Sequence, residues 1–156
     1  MNIRTAKLED LEKIILLENQ IFNLHAESRS DWIDNSKIGF NTEFFKSIIE
    51  DPDKGIIFVA EENNNIIGHC IIVISEIKNH FLMKDMKNIT IEDLCIEKEY
   101  QKKGVGKKLF NEAINYGRKI NANILELAVW EFNKNAVEFY EHLGMETRLR
   151  RMEYKL

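Results

Sequence analysis

The sequence contains few of the residues that mark disorder, flexible linkers or disulfide-rich scaffolds. Its 156 residues include one proline, seven glycines and two cysteines. No Gly-, Ser- or Gln-rich run interrupts the chain, so neither a linker nor a low-complexity segment is expected. Because this length is close to the common size of a domain, residues 1–156 are predicted to form a single domain.

Long hydrophobic runs and an apolar leader are missing as well. The run IIGHCIIVI at 66–74 is far short of the roughly 20 apolar residues that a membrane-spanning helix needs. The first residues, MNIRTAKLED, contain charges but no apolar stretch typical of a signal peptide. Cys70 and Cys95 lie in apolar runs without CxxC spacing. We therefore expect reduced, buried cysteines in a cytoplasmic protein that does not associate with membranes.

Positive charge is scarce except in one segment. The net charge is −4, from 22 Lys and Arg against 26 Asp and Glu. This balance argues against nucleic-acid binding, which depends on clustered cations that displace counterions from the phosphates. The segment YQKKGVGKKLF at 100–110 nevertheless holds four lysines and two glycines without an acid. A local cationic turn in an acidic chain predicts a small anionic ligand.

Hydrophobic spacing predicts an alternation of strands and helices. The predicted strands are 2–6, 55–62, 66–77, 88–97 and 123–130, with one or two more at 145–156. The predicted helices are 7–25, 41–51, 104–120 and 133–144. Residues 27–40 are polar with scattered aromatics and are predicted to form a loop. This order predicts a mixed α/β (α+β) fold, in which about four helices pack on a central sheet.

The strand predicted at 88–97 changes its hydrophobic phase. Ile89 and Ile91 share one parity, whereas Leu94 and Ile96 share the other. Side chains alternate between the two faces of a strand, so a β-bulge would produce this shift. A strand buried on both faces would produce it too, and periodicity does not distinguish the two.

The cationic turn has the form of a phosphate-binding loop. A strand ends near Ile96, and a helix begins near Gly104 after a glycine-containing turn. The first N–H groups of a helix have no internal partners, and they and the helix dipole favour an anion there. A Walker loop would need glycine at position 101, which is Gln101, and Ser or Thr at position 108, which is Lys108. A dinucleotide fingerprint would need glycine at position 109, which is Leu109. Neither nucleotide motif is present.

Two motifs identify a family resemblance. QKKGVG at 101–106 fits the pyrophosphate signature Q/R-x-x-G-x-G/A of the GNAT superfamily of acyl-CoA-dependent N-acetyltransferases, which the chain therefore resembles. NKNAVEFYEHLGM at 133–145 is similar to a second family element, N-x-x-A-x-x-F-Y-x-x-x-G-F, with Met145 replacing the usual aromatic. The opening NIRTAKLEDLEKI is similar to the family's first strand and helix. The resemblance covers essentially the whole chain.

The resemblance implies a GNAT-like fold with a mostly antiparallel mixed sheet, splayed between strands 4 and 5. The pantetheine arm of acetyl-CoA would lie in the gap and pair with backbone groups of Leu94, Cys95 and Ile96, one N–H polarising the thioester carbonyl. Asn133 would contact the same arm. The pyrophosphate would lie on the amides of the turn. The residues of that turn are Gln101, Lys102, Lys103, Gly104, Val105, Gly106 and Lys107.

Two residues are predicted to carry the chemistry. The resemblance implies that Tyr140 is the general acid that protonates the departing CoA thiolate, whereas its spacing alone would make it a buried aromatic. A base near the fourth strand is also needed, because the amine must lose a proton. Glu92 and Asp93 are adjacent there, so a regular strand would turn only one of them to the cleft. The resemblance favours Glu92, and the alternative is a solvated strand carboxylate.

Other polar residues are assigned more loosely. His25, Arg29 and Asp31 form an H-x-x-x-R-x-D arrangement similar to one in related sequences, near the acceptor site. The alternative is a structural role, in which Arg29 and Asp31 fix the loop predicted at 27–40. His69 and Cys70 are neighbours, so on a strand they would point to opposite faces, and no metal site is expected.

The predicted activity is transfer of an acetyl group from acetyl-CoA to a primary amine of a small molecule or protein N-terminus. The amine would attack directly in a ternary complex. The alternative is a non-catalytic acyl-CoA-binding sensor or partner-binding module. The sequence does not specify the acceptor, and exposed C-terminal strand edges would permit a homodimer.

Overall fold

The structure is a computed structural model that describes residues 1–34 and 41–156. The predicted loop at 27–40 therefore lies partly outside the described residues. The strands are β1 (Asn2–Thr5), β2 (Gly55–Glu62), β3 (Asn65–Ile77), β4 (Met86–Ile96) and β5 (Ile124–Leu127). The helices are α1 (Leu11–Ser28), α2 (Thr42–Glu50), α3 (Val105–Lys119) and α4 (Lys134–His142).

The strands form a single mixed sheet in the order β1-β2-β3-β4-β5. The pairs from β1 to β4 are antiparallel, and β4 pairs with β5 in parallel. This arrangement confirms the predicted mixed fold with a mostly antiparallel sheet and about four helices.

Apolar side chains cover both faces of the sheet. Ile14 and Ile48 from the first two helices pack with Ile71 in one buried cluster. On the opposite face, Ile72 packs with Leu109 of α3 in a second cluster, to which α4 contributes the partly buried Tyr140. None of the helices in the described ranges is long and apolar enough to span a membrane.

A β-bulge in β4 explains the change of phase seen in the sequence. Ile72 of β3 pairs with Ile91, but the preceding Ile71 pairs with Asp93. Glu92 is therefore an extra residue on β4. Because of this insertion, the apolar residues before and after the bulge pack in the same cluster, on the face that α3 covers. They are Ile89, Ile91, Leu94 and Ile96.

An ion-pair network fixes where α1 begins relative to the sheet. The guanidinium of Arg4 in β1 donates two hydrogen bonds to Asp10, at 2.7 and 3.0 Å, and a third to Glu61 of β2 at 2.6 Å. The Asp10 carboxylate also accepts a hydrogen bond from the backbone N–H of Lys7. The Arg4 guanidinium holds the pKa of Asp10 below its usual value. These contacts tie the first turn of α1 to the edge of the sheet.

Residues 145–156, called here the C-terminal arm, contain neither helix nor strand, although all of them are described. The prediction of one or two strands here was wrong, because a strand needs a hydrogen-bonding edge that local sequence does not reveal. Ion pairs hold the arm: Arg148 with Glu126, Glu153 with Arg29, and Lys155 with Asp31. Met145 packs partly buried against the second cluster, and the other apolar side chains of the arm point to solvent. They are Leu149, Met152, Tyr154 and Leu156.

Candidate active site at the splayed edge of β4

The sheet opens between β4 and β5 directly after the bulge. The parallel pairing runs from Asn88–Ile124 to Ile91–Leu127 and ends there, whereas β4 continues to Ile96. β5 ends at Leu127, and no residue after it pairs with β4 among the described residues. Beyond the bulge, the edge of β4 therefore borders a gap in the strand pairing, where backbone N–H and C=O groups are available to an extended ligand.

The predicted cofactor residues of β4 line this part of the strand. Leu94, Cys95 and Ile96 pair with β3 on their other side. The carbonyl of Ile96 accepts hydrogen bonds from the side-chain amides of Gln20, at 3.0 Å, and Gln101, at 3.1 Å. These two contacts fix the end of β4 against both α1 and the glycine-containing turn.

The turn after β4 leads into the N-terminus of α3 through a left-handed glycine. Gly104 has φ +81°, a conformation that side-chain-bearing residues rarely adopt, and it precedes the first residue of the helix. A Cβ atom on Gly106 would lie 3.1 Å from Cζ of Phe139, so the first turn of α3 approaches α4 closely. The N–H groups of that turn have no acceptor within the helix. The structure thus places a helix end of the kind that suits an anion close to Leu94 of β4.

Tyr140 lies on α4 among aromatic rings. Its ring centroid is 5.1 Å from that of Phe139 and 6.3 Å from that of Phe110. Burial raises the pKa of the Tyr140 hydroxyl above its usual value. The hydroxyl is therefore protonated at physiological pH, as a proton donor must be.

Asn133 caps the N-terminus of α4. Its side-chain oxygen accepts a hydrogen bond from the backbone N–H of Ala136 at 3.2 Å. This contact satisfies one of the unpaired donors of the first turn. Asn133 therefore has a structural role in positioning the helix that carries Tyr140.

The two adjacent acids at the bulge have different environments. The side chain of Glu92 is exposed. Asp93 is partly buried and lies with Glu18 of α1 and His69 of β3, with polar atoms of the three residues within 4.8 Å of one another. The Nε2 atom of His69 is 2.6 Å from Oε1 of Glu18, and the ring of His69 is fully buried.

This three-residue group is electrostatically unusual. Burial lowers the pKa of His69 to about 4, so the imidazole is neutral at pH 7. Burial also raises the pKa of Glu18 above its usual value. The pKa of Asp93 is raised to about 8, first by burial and then by the charge of Glu18.

Glu18 was not predicted from the sequence as a site residue. Its signal was a carboxylate one helical turn beyond Ile14, on the apolar face of α1 that packs against the sheet. A buried acid at such a position needs a partner, but the sequence does not tell which residue supplies it.

The cysteines are buried and unpaired, as the sequence predicts. The thiol of Cys95 donates to the carbonyl of Leu17 at 3.3 Å. Burial raises the pKa of both thiols, so neither forms a thiolate at physiological pH. This environment disfavours a covalent acyl-cysteine.

His25, Arg29 and Asp31 connect three segments of the chain. Arg29 pairs with Asp31 at 3.1 Å, and its guanidinium carbon lies 5.0 Å from the ring centroid of Trp130. The ring of His25 is 5.9 Å from that of Phe132. The contacts fit the loop-fixing role that the sequence analysis weighed for these residues.

Comparison with known proteins gives a consistent picture. A family model described as the acetyltransferase (GNAT) family matches residues 19–145. The chain is 30% identical over 147 residues to the uncharacterized N-acetyltransferase YhfO of Bacillus subtilis, covering 94% of this chain and 90% of YhfO. It is also 30% identical over 98 residues to the L-ornithine N5-acetyltransferase NATA1 of Arabidopsis thaliana, covering 63% of this chain and 42% of NATA1. It spans 45% of the length of another relative, the uncharacterized N-acetyltransferase MJ1207 of Methanocaldococcus jannaschii.

Solved structures agree over the whole chain. A tetramutant of the BH1408 protein of Bacillus halodurans superposes with a TM-score of 0.94 at 27% identity, covering all of both chains. The aminoglycoside N-acetyltransferase AAC(6')-Iy, solved in complex with CoA, shares the fold at a TM-score of 0.74 and 16% identity, covering 99% of this chain and 98% of that one.

Proposed function

Because the chain belongs to the acetyltransferase (GNAT) family, we propose that it transfers the acetyl group of acetyl-CoA to a primary amine of a small molecule or protein N-terminus. The amine attacks the thioester directly in a ternary complex. The observation that carries this proposal is the juxtaposition of the open β4 edge, the glycine turn at 101–107 and Tyr140. The protonated Tyr140 favours catalysis over the alternative of a non-catalytic acyl-CoA sensor.

The donor substrate would occupy the gap beside β4. Its pyrophosphate would lie on the N–H groups of residues 101–107, and its pantetheine arm would follow the backbone of Leu94, Cys95 and Ile96. Asn133 would contact that arm from the start of α4. Acetyl-CoA supplies an activated thioester, and the chain supplies the backbone donors that stabilise negative charge on the carbonyl oxygen.

Tyr140 and Glu92 carry the proton transfers in this proposal. Tyr140 donates its proton to the thiolate of CoA as the C–S bond breaks. Glu92 is exposed at the bulge, where an incoming ammonium group can reach its carboxylate from solvent. It accepts the first proton of that ammonium group. No metal takes part in this scheme, and a cytoplasmic location is consistent with two unpaired, buried thiols.

A screen of trial amines would identify the acceptor class. NATA1 acts on the side-chain amine of ornithine, and a B. subtilis relative, 25% identical over 144 residues, is a putative ribosomal protein bS18 alanine N-acetyltransferase. L-Ornithine and a peptide with an N-terminal alanine are therefore the first trial acceptors, with release of free CoA thiol as the readout.

Acetyl-CoA is expected to stabilise the protein against heat, whereas ATP and NAD are not. At about 100 times its Kd, a ligand stabilises the folded state by roughly 2.7 kcal/mol, which is on the order of 5–10 °C in Tm for this chain length. Replacing both Lys102 and Lys103 by Ala should reduce the shift. The control changes Arg118 and Lys119, at the other end of α3, to Ala and should leave it unchanged. A shift with ATP alone, or with none of the three ligands, would contradict the proposal.

Tyr140→Phe is expected to lower kcat by roughly 10²- to 10⁴-fold, because the substitution removes the proton donor but keeps the ring. The Kd of acetyl-CoA, measured by calorimetry, should change little. Tyr154→Phe is the matched control, since this tyrosine is 89% exposed on the C-terminal arm. An unchanged kcat for Tyr140→Phe would remove the assigned role.

Glu92→Gln is expected to lower kcat/KM most strongly at neutral pH. The defect should shrink as pH approaches the amine pKa of about 10, because the acceptor then arrives already deprotonated. Glu9→Gln, an exposed carboxylate paired with Lys7 far from the bulge, is the control. A loss of equal size at every pH would show that Glu92 does not accept the proton.

We propose a homodimer in which each C-terminal arm covers a second copy. The arm carries four cationic side chains against two carboxylates, whereas the rest of the chain is acidic. Arg148 and Lys155 pair with acids of the same chain, but Arg150 and Arg151 have no ion-pair partner among the described residues and complement the acidic body of a second copy. The backbone and four apolar side chains of the arm also have no partner strand among the described residues. An isologous contact between two copies would bury the unpaired backbone of the arm and its exposed apolar side chains.

Sedimentation should therefore give twice the chain mass of 18.4 kDa. Changing Leu149 and Tyr154 to Asp should produce a folded monomer. Phe81→Asp, an 86% exposed position in the loop before β4, should remain dimeric. A monomeric wild-type protein at micromolar concentration would rule out this assembly.

A further inference from the structure

We propose that Asp93, held by Glu18 and His69, is a second proton acceptor of the transfer reaction, separate from Glu92. This inference rests on the proposed function and adds residues to its mechanism. Asp93 would take the proton that leaves the acceptor nitrogen as the C–N bond forms. Glu18 and His69 act through Asp93 and are positioning residues.

The geometry of the group depends on three elements. Glu18 comes from α1, His69 from β3 and Asp93 from β4, and their polar atoms lie within 4.8 Å of one another. Nε2 of His69 and Oε1 of Glu18 share a hydrogen bond of 2.6 Å, and the carboxyl of Asp93 is also hydrogen-bonded to Glu18. The extra residue in β4 is what turns Asp93 to the α1 side of the sheet.

The protonation states follow from these contacts. A neutral His69 that donates from Nε2 has its acceptor at Nδ1, which has no hydrogen-bond partner among the described residues. Glu18 therefore receives hydrogen bonds from both neighbours and is the ionised member of the group. Asp93 holds the proton that the two carboxyls share, and its pKa of about 8 describes the loss of that proton.

The charged and titratable groups that face Asp93 come from four elements. Glu18 on α1 and His69 on β3 act on it directly, and the backbone N–H of Leu94 on β4 stabilises its ionised form. The charge of Asp93 in turn raises the pKa of Cys70 on β3 and of Tyr140 on α4. Asp93 is thus within electrostatic reach of the proposed acid and beside the backbone edge that the thioester would occupy.

The reaction needs a second acceptor because two protons leave the nitrogen. An ammonium group has three N–H bonds, and the amide product has one. The first proton goes to Glu92 and then to water, and the second goes to Asp93 as the nitrogen forms its bond to the acetyl carbon. The C–S bond then breaks, and Tyr140 donates its proton to the sulfur. Asp93 then gives up its proton and Tyr140 regains one through solvent, so that one proton is released per turnover and both side chains are restored.

A titration of the ligand-free protein tests the state of the group. Carbon-13 NMR of aspartate-labelled protein should show one carboxyl with a midpoint near pH 8, which is absent in Asp93→Asn. In Glu18→Gln the midpoint should move to lower pH, since both the charge and the hydrogen bond of Glu18 raise the pKa of Asp93. Glu92→Gln should leave it unchanged. An Asp93 carboxyl that titrates at an ordinary aspartate value would overturn the proposal.

The pH dependence of kcat tests the catalytic step, with both substrates saturating and L-ornithine or the alanine peptide as acceptor. The wild type should show an acid limb near pH 8, since Asp93 must be ionised to accept a proton. Glu18→Gln should move this limb to lower pH and keep kcat at high pH. Asp93→Asn should remove the limb and lower kcat by roughly 10²- to 10⁴-fold. A limb that stays in place in Glu18→Gln would show that the group is structural.

The pH dependence of unfolding gives a readout that needs no substrate. The folded-state pKa of Asp93 lies above its unfolded value, so its contribution to stability is complete below about pH 4 and is lost as pH rises towards 8. The unfolding free energy of the wild type should fall over this interval, and that of Asp93→Asn should fall less. Equal slopes would overturn the proposal. Failure of acetyl-CoA to stabilise the protein would instead overturn the proposed function, and it would leave these ligand-free titrations intact.

Discussion

One extra residue in β4 determines how the site is built. If Glu92 occupied a regular position in the ladder instead of a bulge, the alternation would place Leu94 and Ile96 on the α1 face. The insertion keeps these apolar residues on the face that α3 covers, and it turns Asp93 towards Glu18. The parallel pairing with β5 also stops at the residue before it. The core packing, the open strand edge and the buried acid are thus three results of the same local geometry.

The first turn of α3 contacts both α4, which carries Tyr140, and the end of β4. Gly106 in the first turn of α3 is close to Phe139, which precedes Tyr140 on α4. Leu94 of β4 also lies next to Gly106, 3.7 Å from its Cβ position. A ligand that binds the helix end would therefore lie against elements that also position the proton donor. Close packing between the elements is what makes this arrangement rigid.

Local patterns in the sequence predicted much of this architecture. Parity along residues 88–97 indicated a bulge as one of two explanations, and the spacing around Gly104 indicated a helix end suited to an anion. The contact between Glu18 and His69 was not predictable, because it joins residues 51 positions apart and depends on how α1 crosses the sheet. The prediction of strands in the C-terminal arm was wrong for a related reason. Its residues have strand-like character, but hydrogen bonding to a partner edge, not propensity, decides whether they form a strand.

The shielded thiols have a practical consequence for spectroscopy. Cys70 and Cys95 are both buried among apolar residues and lack the exposure that alkylating dyes require. A cysteine introduced at an exposed position, such as the site of Phe81 before β4, would then be the reactive thiol of the folded chain. Fluorophores or spin labels could be attached there without first removing the native cysteines, so that the packing around β3 and β4 stays intact.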